Sequence, residues 1–119
     1  MDAFLKTLQT LPEAAELVSR VENGGCPAVL TGTQPVQRAC VGAAVAAGAG
    51  RPMVFLCADE REARQLAGDL QSLTGETPVT LLAREWQFRP NAVSSREWER
   101  SRLAALHRMA QGAAPVVVA

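Results

Sequence analysis

Pro27-Ala-Val-Leu-Thr-Gly-Thr-Gln-Pro-Val36 is the stretch whose reading decides the fold of this chain. Its first five residues form an apolar run opened by proline, which reads as a buried strand. Pro35–Ala49 reads as the helix that follows, and Gly32-Thr33-Gln34 joins the two. Strand, glycine-bearing turn and helix make the scaffold of a phosphate-binding loop. Such a loop closes backbone N–H groups round a phosphate, then places a lysine for the outer phosphates and a Ser/Thr for magnesium. The decisive positions here hold Gln34, Pro35 and Val36. Proline supplies neither an N–H nor a cation, and valine cannot hold a metal. Gly32, Thr33, Gln34, Pro35 and Val36 are therefore degenerate phosphate-loop positions, expected not to bind. A scaffold without its chemistry points to a domain kept for contacts rather than catalysis.

Working outward, three more apolar runs begin with proline: Pro52-Met-Val-Phe-Leu-Cys, Pro78-Val-Thr-Leu-Leu and Pro115-Val-Val-Val-Ala. Proline is tolerated at the first residue of a strand, and continuous rather than alternating apolar runs fit strands covered on both faces. Helical patterns separate them. Asp59–Leu73 carries Ala63, Leu66, Ala67, Leu70 and Leu73 on one stripe, with Asp59 as cap, Glu62 as its partner and Gly75 as the stop. Ser94–Gln111 opens on the capping box Ser94-Ser-Arg-Glu97, is expected to bury Leu103, Leu106 and Ala110, and closes at Gly112. Strands alternating with helices predict an α/β fold of three layers, a mostly parallel sheet with helices on both faces, of degenerate P-loop NTPase-like type. Ahead of it, residues 1–24 form a helical segment. Two short helices, the second starting at Thr10-Leu-Pro-Glu13, are expected to end near Asn23-Gly-Gly25 and to pack on the sheet edge or act as a docking arm. The α/β domain takes residues 25–119. The valine run at the end predicts that this domain is cut short at its C-terminal side.

At 119 residues and 48% hydrophobic content the chain supports one core without disulfides or metal. Its formal charge is zero, so no overall field draws it to nucleic acid or membrane. Charge is nevertheless uneven: six arginines from Arg84 to Arg108 face Glu85, Glu97 and Glu99, while five acids from Asp59 to Glu76 face Arg61 and Arg64. Solvated helix faces account for both. The sharper alternative is an arginine-bearing contact surface for a partner, with Arg84, Arg89, Arg96 and Arg100 as its candidates. The three cysteines Cys26, Cys40 and Cys57 are odd in number and have no Cys-x-x-Cys spacing, which argues for a reducing compartment and against zinc. Cys40 and Cys57 read as small core residues. With no signal peptide and no span-length apolar stretch, a soluble, cytoplasmic protein is expected.

Ligands of open α/β folds sit outside the carboxyl ends of the strands. Asp59 at one such end can meet a ribose hydroxyl but is already employed as a helix cap. Thr31 and Thr33 read as turn formers, and Arg38 as an exposed helix arginine. His107, the only histidine, lies near a helix C-terminus where the dipole favours a cation, with no nucleophile at a recognisable spacing. Trp86 and Phe88 read as staples of the Leu81–Pro90 segment rather than base-stacking platforms, since a dense basic groove is missing. No catalytic residue and no metal ligand emerges.

In order and spacing, Leu30-Thr31-Gly32-Thr33, Arg51-Pro52-Met53-Val54-Phe55-Leu56, Asp59-Glu60-Arg61-Glu62-Ala63, Trp86 with Pro90, Ser94-Ser95-Arg96-Glu97 and Arg102-Leu103-Ala104-Ala105-Leu106 resemble one known arrangement. It is the first, UvrB-like domain of the bacterial transcription-repair coupling factor (Mfd) family, matched over roughly residues 25–119. The match departs from the family after Trp86, where Gln87, Asn91 and Ala92 stand for the usual Glu, Tyr and Asp. UvrB itself keeps a complete Gly-Lys-Thr loop and a tyrosine-rich hairpin, whereas this chain has no tyrosine. The resemblance implies a non-catalytic domain in nucleotide excision repair, a platform for UvrA recruitment that works mainly through a following insert. It also implies restraint, through other domains of the same chain, of an ATP-dependent DNA translocase. That helicase-like motor, with its ATP and magnesium, lies downstream and displaces stalled RNA polymerase from DNA. No cofactor is implied for this segment, and no membrane. Two rival readings remain at this point: a nucleotide-binding enzyme domain with an atypical loop, resting on Gly32 and Arg38, and a DNA-binding fragment, resting on the arginines from Arg84 to Arg108.

Overall fold

The computed structural model describes residues 2–25, 27–83, 96–113 and 115–119. Among them the order is α1 (Asp2–Gln9), α2 (Pro12–Asn23), α3 (Pro35–Ala49), β1 (Met53–Phe55), α4 (Glu60–Thr74), β2 (Val79–Thr80), α5 (Arg96–Ala110) and β3 (Val116–Val118). The strands form one sheet in the order β1-β3-β2, with both pairs parallel. Met53, Val54 and Phe55 stand beside Val116, Val117 and Val118, and Val79 and Thr80 stand beside Val117 and Val118. The chain is thus α/β. Each strand begins one residue after its proline, and the ladder opens where Met53 donates its N–H to the Pro115 carbonyl at 2.9 Å. A proline at that point removes a donor the ladder does not use.

Alternation along β3 divides the core. Val118 joins Leu5, Ala39, Ala43, Ala63 and Leu70 in the larger cluster, with Phe55 and Val116 against it. Val117, on the opposite face, packs with Val79 of β2 and Ala105 of α5. Helices therefore cover both faces, α1, α3 and α4 on one and α5 on the other. The stripe expected on α4 is the one that packs: Ala63 and Leu70 are buried, with Leu66, Ala67 and Leu73 beside them. Its cap is also as expected, because the Glu62 N–H donates to Asp59 Oδ1 at 2.7 Å and Gly75 closes the helix at φ 77°.

α3 lies at the centre of the helical layer, touching α1, α2 and α4. Its small residues permit that. Ala39, Ala43, Ala44 and Val45 are buried, and Gly42 sits so close to β1 that an added Cβ would lie 2.4 Å from the Phe55 ring. The two leading helices rest on α3 rather than on the sheet edge, with Leu5 and Ala14 as their buried residues. α2 starts at Leu11 as cap, one residue later than Thr10, because the Thr10 hydroxyl donates to the Thr7 carbonyl and finishes α1 instead.

Two expectations are corrected. Pro27–Thr31 is not a buried strand: it joins no ladder, and its residues are exposed, Val29 to 86%. An apolar run becomes a strand only where a ladder receives it, and this one pairs with none of β1, β2 and β3. In α5 the residues that pack are Ala105 and Met109, whereas Leu103, Leu106 and Ala110 are exposed. On the packed side Arg102 donates from its Nη1 to the Leu82 carbonyl, just beyond β2. Trp98 and Arg102 lie one helical turn apart on that side, and the Arg102 guanidinium sits 5.8 Å from the Trp98 ring centroid. The expected start of this helix at Ser94 falls outside the described residues.

Two of the helical glycines, Gly42 and Gly68, test this packing. Gly42→Ala gains helix propensity of about 1 kcal/mol, but crowding Phe55 costs about 1–3 kcal/mol. Gly68 on α4 has no neighbour within 4 Å of an added Cβ. In urea unfolding the midpoint is expected to fall for Gly42→Ala and to rise for Gly68→Ala, at unchanged slope.

Candidate functional site

The start of α3 follows directly from its residues. Gly32 has φ 76°, a left-handed conformation that leaves open space around the turn. Gln34 is the helix cap: its carbonyl accepts from the Arg38 N–H at 3.0 Å and its own N–H donates to Gln37 Oε1 at 2.8 Å. Pro35 occupies the first helical position, where it contributes no donor. Val36 follows with half its side chain in solvent. At this turn, then, the Gln34 amide is already bonded and Pro35 has none to give.

Beyond it lies a cleft of about 430 Å3 at the carboxyl end of β1, between α3 and α4. Phe55, Leu56, Cys57 and Leu66 form its apolar lining. Its charged lining is two arginines, Arg38 and Arg61, against three carboxylates, Asp59, Glu62 and Asp69. Glu62 organises the rim. Its Oε2 accepts from the Ala58 N–H at 2.9 Å, and its Oε1 lies 3.5 Å from Arg38 Nη2. Arg38 is therefore an exposed helix arginine with a carboxylate partner, and Asp59 caps α4. Burial pushes the Cys57 thiol above its ordinary range; Glu62 and Asp59 push the same way, and Arg38 pulls against them. Cys57 packs against the larger core and Cys40 is half-buried, while Cys26 lies outside the described residues.

Of the candidate contact arginines, Arg96 and Arg100 stand one turn apart on the exposed first half of α5. Arg84 and Arg89 lie outside the described residues, as do Trp86 and Phe88. His107 is exposed in the last turn of α5. Among the described residues no group of His, Cys, Asp and Glu gathers as a metal site, and no helix is long and apolar enough to cross a membrane. The sequence pattern gave no sign of the Arg38–Glu62 pair or of Arg61 and Asp69 joining Cys57. Spacing within one helix cannot reveal which helix a crossover will bring alongside.

In comparison with known proteins, the chain matches no family model, no curated protein and no solved structure.

The Cys57 environment has a measurable consequence. A raised pKa means less thiolate at a given pH, and thiolate is the species that reacts. Iodoacetamide labelling, followed peptide by peptide, is expected to be slower at Cys57 than at a cysteine in the unfolded chain at pH 8. Its rate should keep climbing above the pH where the unfolded thiol levels off. Glu62→Gln removes one of the raising charges and is expected to move that profile to lower pH.

Proposed function

We propose that this chain is a non-catalytic platform domain, the first, UvrB-like domain of a transcription-repair coupling factor, with a P-loop NTPase-like fold that has lost its nucleotide. The observation that carries the reading is the start of α3. Pro35 offers no N–H, the Gln34 amide is bonded to Gln37, and Val36 replaces a metal-holding hydroxyl. The cleft beside it supports the same conclusion, because three carboxylates outnumber two arginines and a polyphosphate would be repelled. In this reading the domain supports UvrA recruitment through a following insert and, with other domains of the same chain, holds a downstream DNA translocase at rest. ATP and magnesium belong to that motor, as do the contacts with DNA and with stalled RNA polymerase. Its setting is the cytoplasm.

The rival reading, a nucleotide-binding enzyme domain, draws on the left-handed Gly32 and on Arg38 at the rim of a cleft in the usual ligand position. Its weakness is that Arg38 already has Glu62 as partner.

Nucleotide titration separates the two. A site with a Kd of about 0.5 mM would stabilise the fold by about 1.4 kcal/mol at 5 mM ligand. With Mg-ATP and with ADP we expect no heat and no change in Tm. Saturable binding would put the enzyme reading first. The recruitment role has its own test: a longer form carrying the following insert is expected to bind purified UvrA, and its failure to do so would remove that role.

A further inference from the structure

Among the described residues β1 is an edge strand with no ladder partner on its outer side. Met53 donates to the Pro115 carbonyl, the Phe55 carbonyl accepts from Ala119, and Cys57 donates to the Ala119 carbonyl. Strand alternation then turns the N–H and C=O of Val54 and Leu56 away from the sheet. Their side chains are open too, Val54 to 55% and Leu56 to 85%. Val117 and Val79, which share the face and register of Val54, are only 4% and 2% exposed. The layer made by α5 therefore stops one strand short. An unpaired edge with apolar side chains is a template for strand addition, and natural proteins guard such edges with charge. Here no charged residue lies between Arg51 and Asp59.

The two flanking charges indicate which strand fits. When β1 meets a second copy of itself antiparallel about a twofold axis at Phe55, Arg51 of each copy is brought to the end where Asp59 of the other lies, since the two stand four residues to either side of Phe55. Both residues are exposed. In the same register Val54 faces Leu56, so the outward N–H and C=O groups meet in hydrogen-bonded pairs. Sliding the register by one residue faces these groups with inward-turned neighbours, and sliding it by two separates the charges. A parallel arrangement sets Arg51 beside Arg51. Charge complementarity and backbone geometry thus select one register.

We propose that β1 is a self-association edge, through which two copies of this chain pair antiparallel about Phe55 into a continuous six-stranded sheet. The interface is isologous, each copy giving and receiving the same contacts.

Hydrogen exchange across a concentration series tests it without mutation. The Val54 and Leu56 amides are expected to gain protection as the 119-residue chain is raised from about 10 μM to about 1 mM. The Met53 and Cys57 amides, bonded to β3 in every copy, should not change. Sedimentation equilibrium should report dimers over the same range. Leu56→Lys is expected to weaken association at least about tenfold, and Arg51→Glu to weaken it through like-charge contact with Asp59. Leu103→Lys, at an exposed site on α5, is the control and should leave it unchanged. A monomer throughout the range overturns the proposal. So does a dimer indifferent to Leu56→Lys, while a dimer indifferent to Arg51→Glu overturns the register and with it the pairing proposed.

Discussion

The parallel ladder of β3 is the constraint on which the rest of the structure depends. Val116–Val118 is the middle strand, and it alone joins β1 to β2. Its valines face both ways, Val118 into the layer of α1, α3 and α4 and Val117 into the contact with α5. Leu70 and Val118 are the largest fully enclosed side chains among the described residues. Removing buried methyl groups from such a site costs about 1 kcal/mol or more each, because the cavity collapses only partly. Three consecutive β-branched residues suit the position. They are stiff in the extended conformation and present a branched surface to neighbours on either side.

The small residues of α3 face the core, while the cleft at its first turns is bordered by charged side chains. Arg38, Glu62 and Asp59 form a continuous chain of contacts from the first turns of α3 to the cap of α4. The pair is half-exposed, so its direct contribution to stability lies at the low end, about 0–1 kcal/mol. Its effect is positional. Glu62 ties together a helix start, the preceding loop through Ala58 and the opposite helix, and so fixes the mouth of the cleft.

Much of this was legible from residue patterns, and the gaps have physical causes. The α4 boundaries and stripe were readable because Asp59, Glu62 and Gly75 encode both ends locally. The prolines at 52, 78 and 115 announced three strands, since each sits where a missing N–H is harmless. The same signal failed at Pro27, because strand formation needs a partner and no local residue supplies one. In α5 apolar spacing selected Leu103 and Leu106, whereas the side that packs carries Ala105, Met109 and an Arg102 that reaches the Leu82 carbonyl, twenty residues away in sequence. At the site, the altered loop residues and the Asp59 cap were visible in the chain. The cleft, with Arg61, Asp69 and Cys57 brought to one place, arises only from the crossover that sets α3 beside α4.

The strand order also has a consequence for synthesis. β1 and β2 leave the ribosome before β3, yet neither pairs with the other and both need β3. About sixty residues separate Phe55 from Val118, so at elongation rates of about 5–20 residues per second β1 waits roughly 3–13 s for its partner. Helix pairs such as α1, α2 and α3 need no such wait, because their contacts are closer in sequence. The growing chain thus gains a helical half first and carries an unmatched, apolar β1 until β3 arrives. For that interval its fate rests on how quickly α3 and α4 cover Phe55, which makes helix formation the guardian of the nascent sheet.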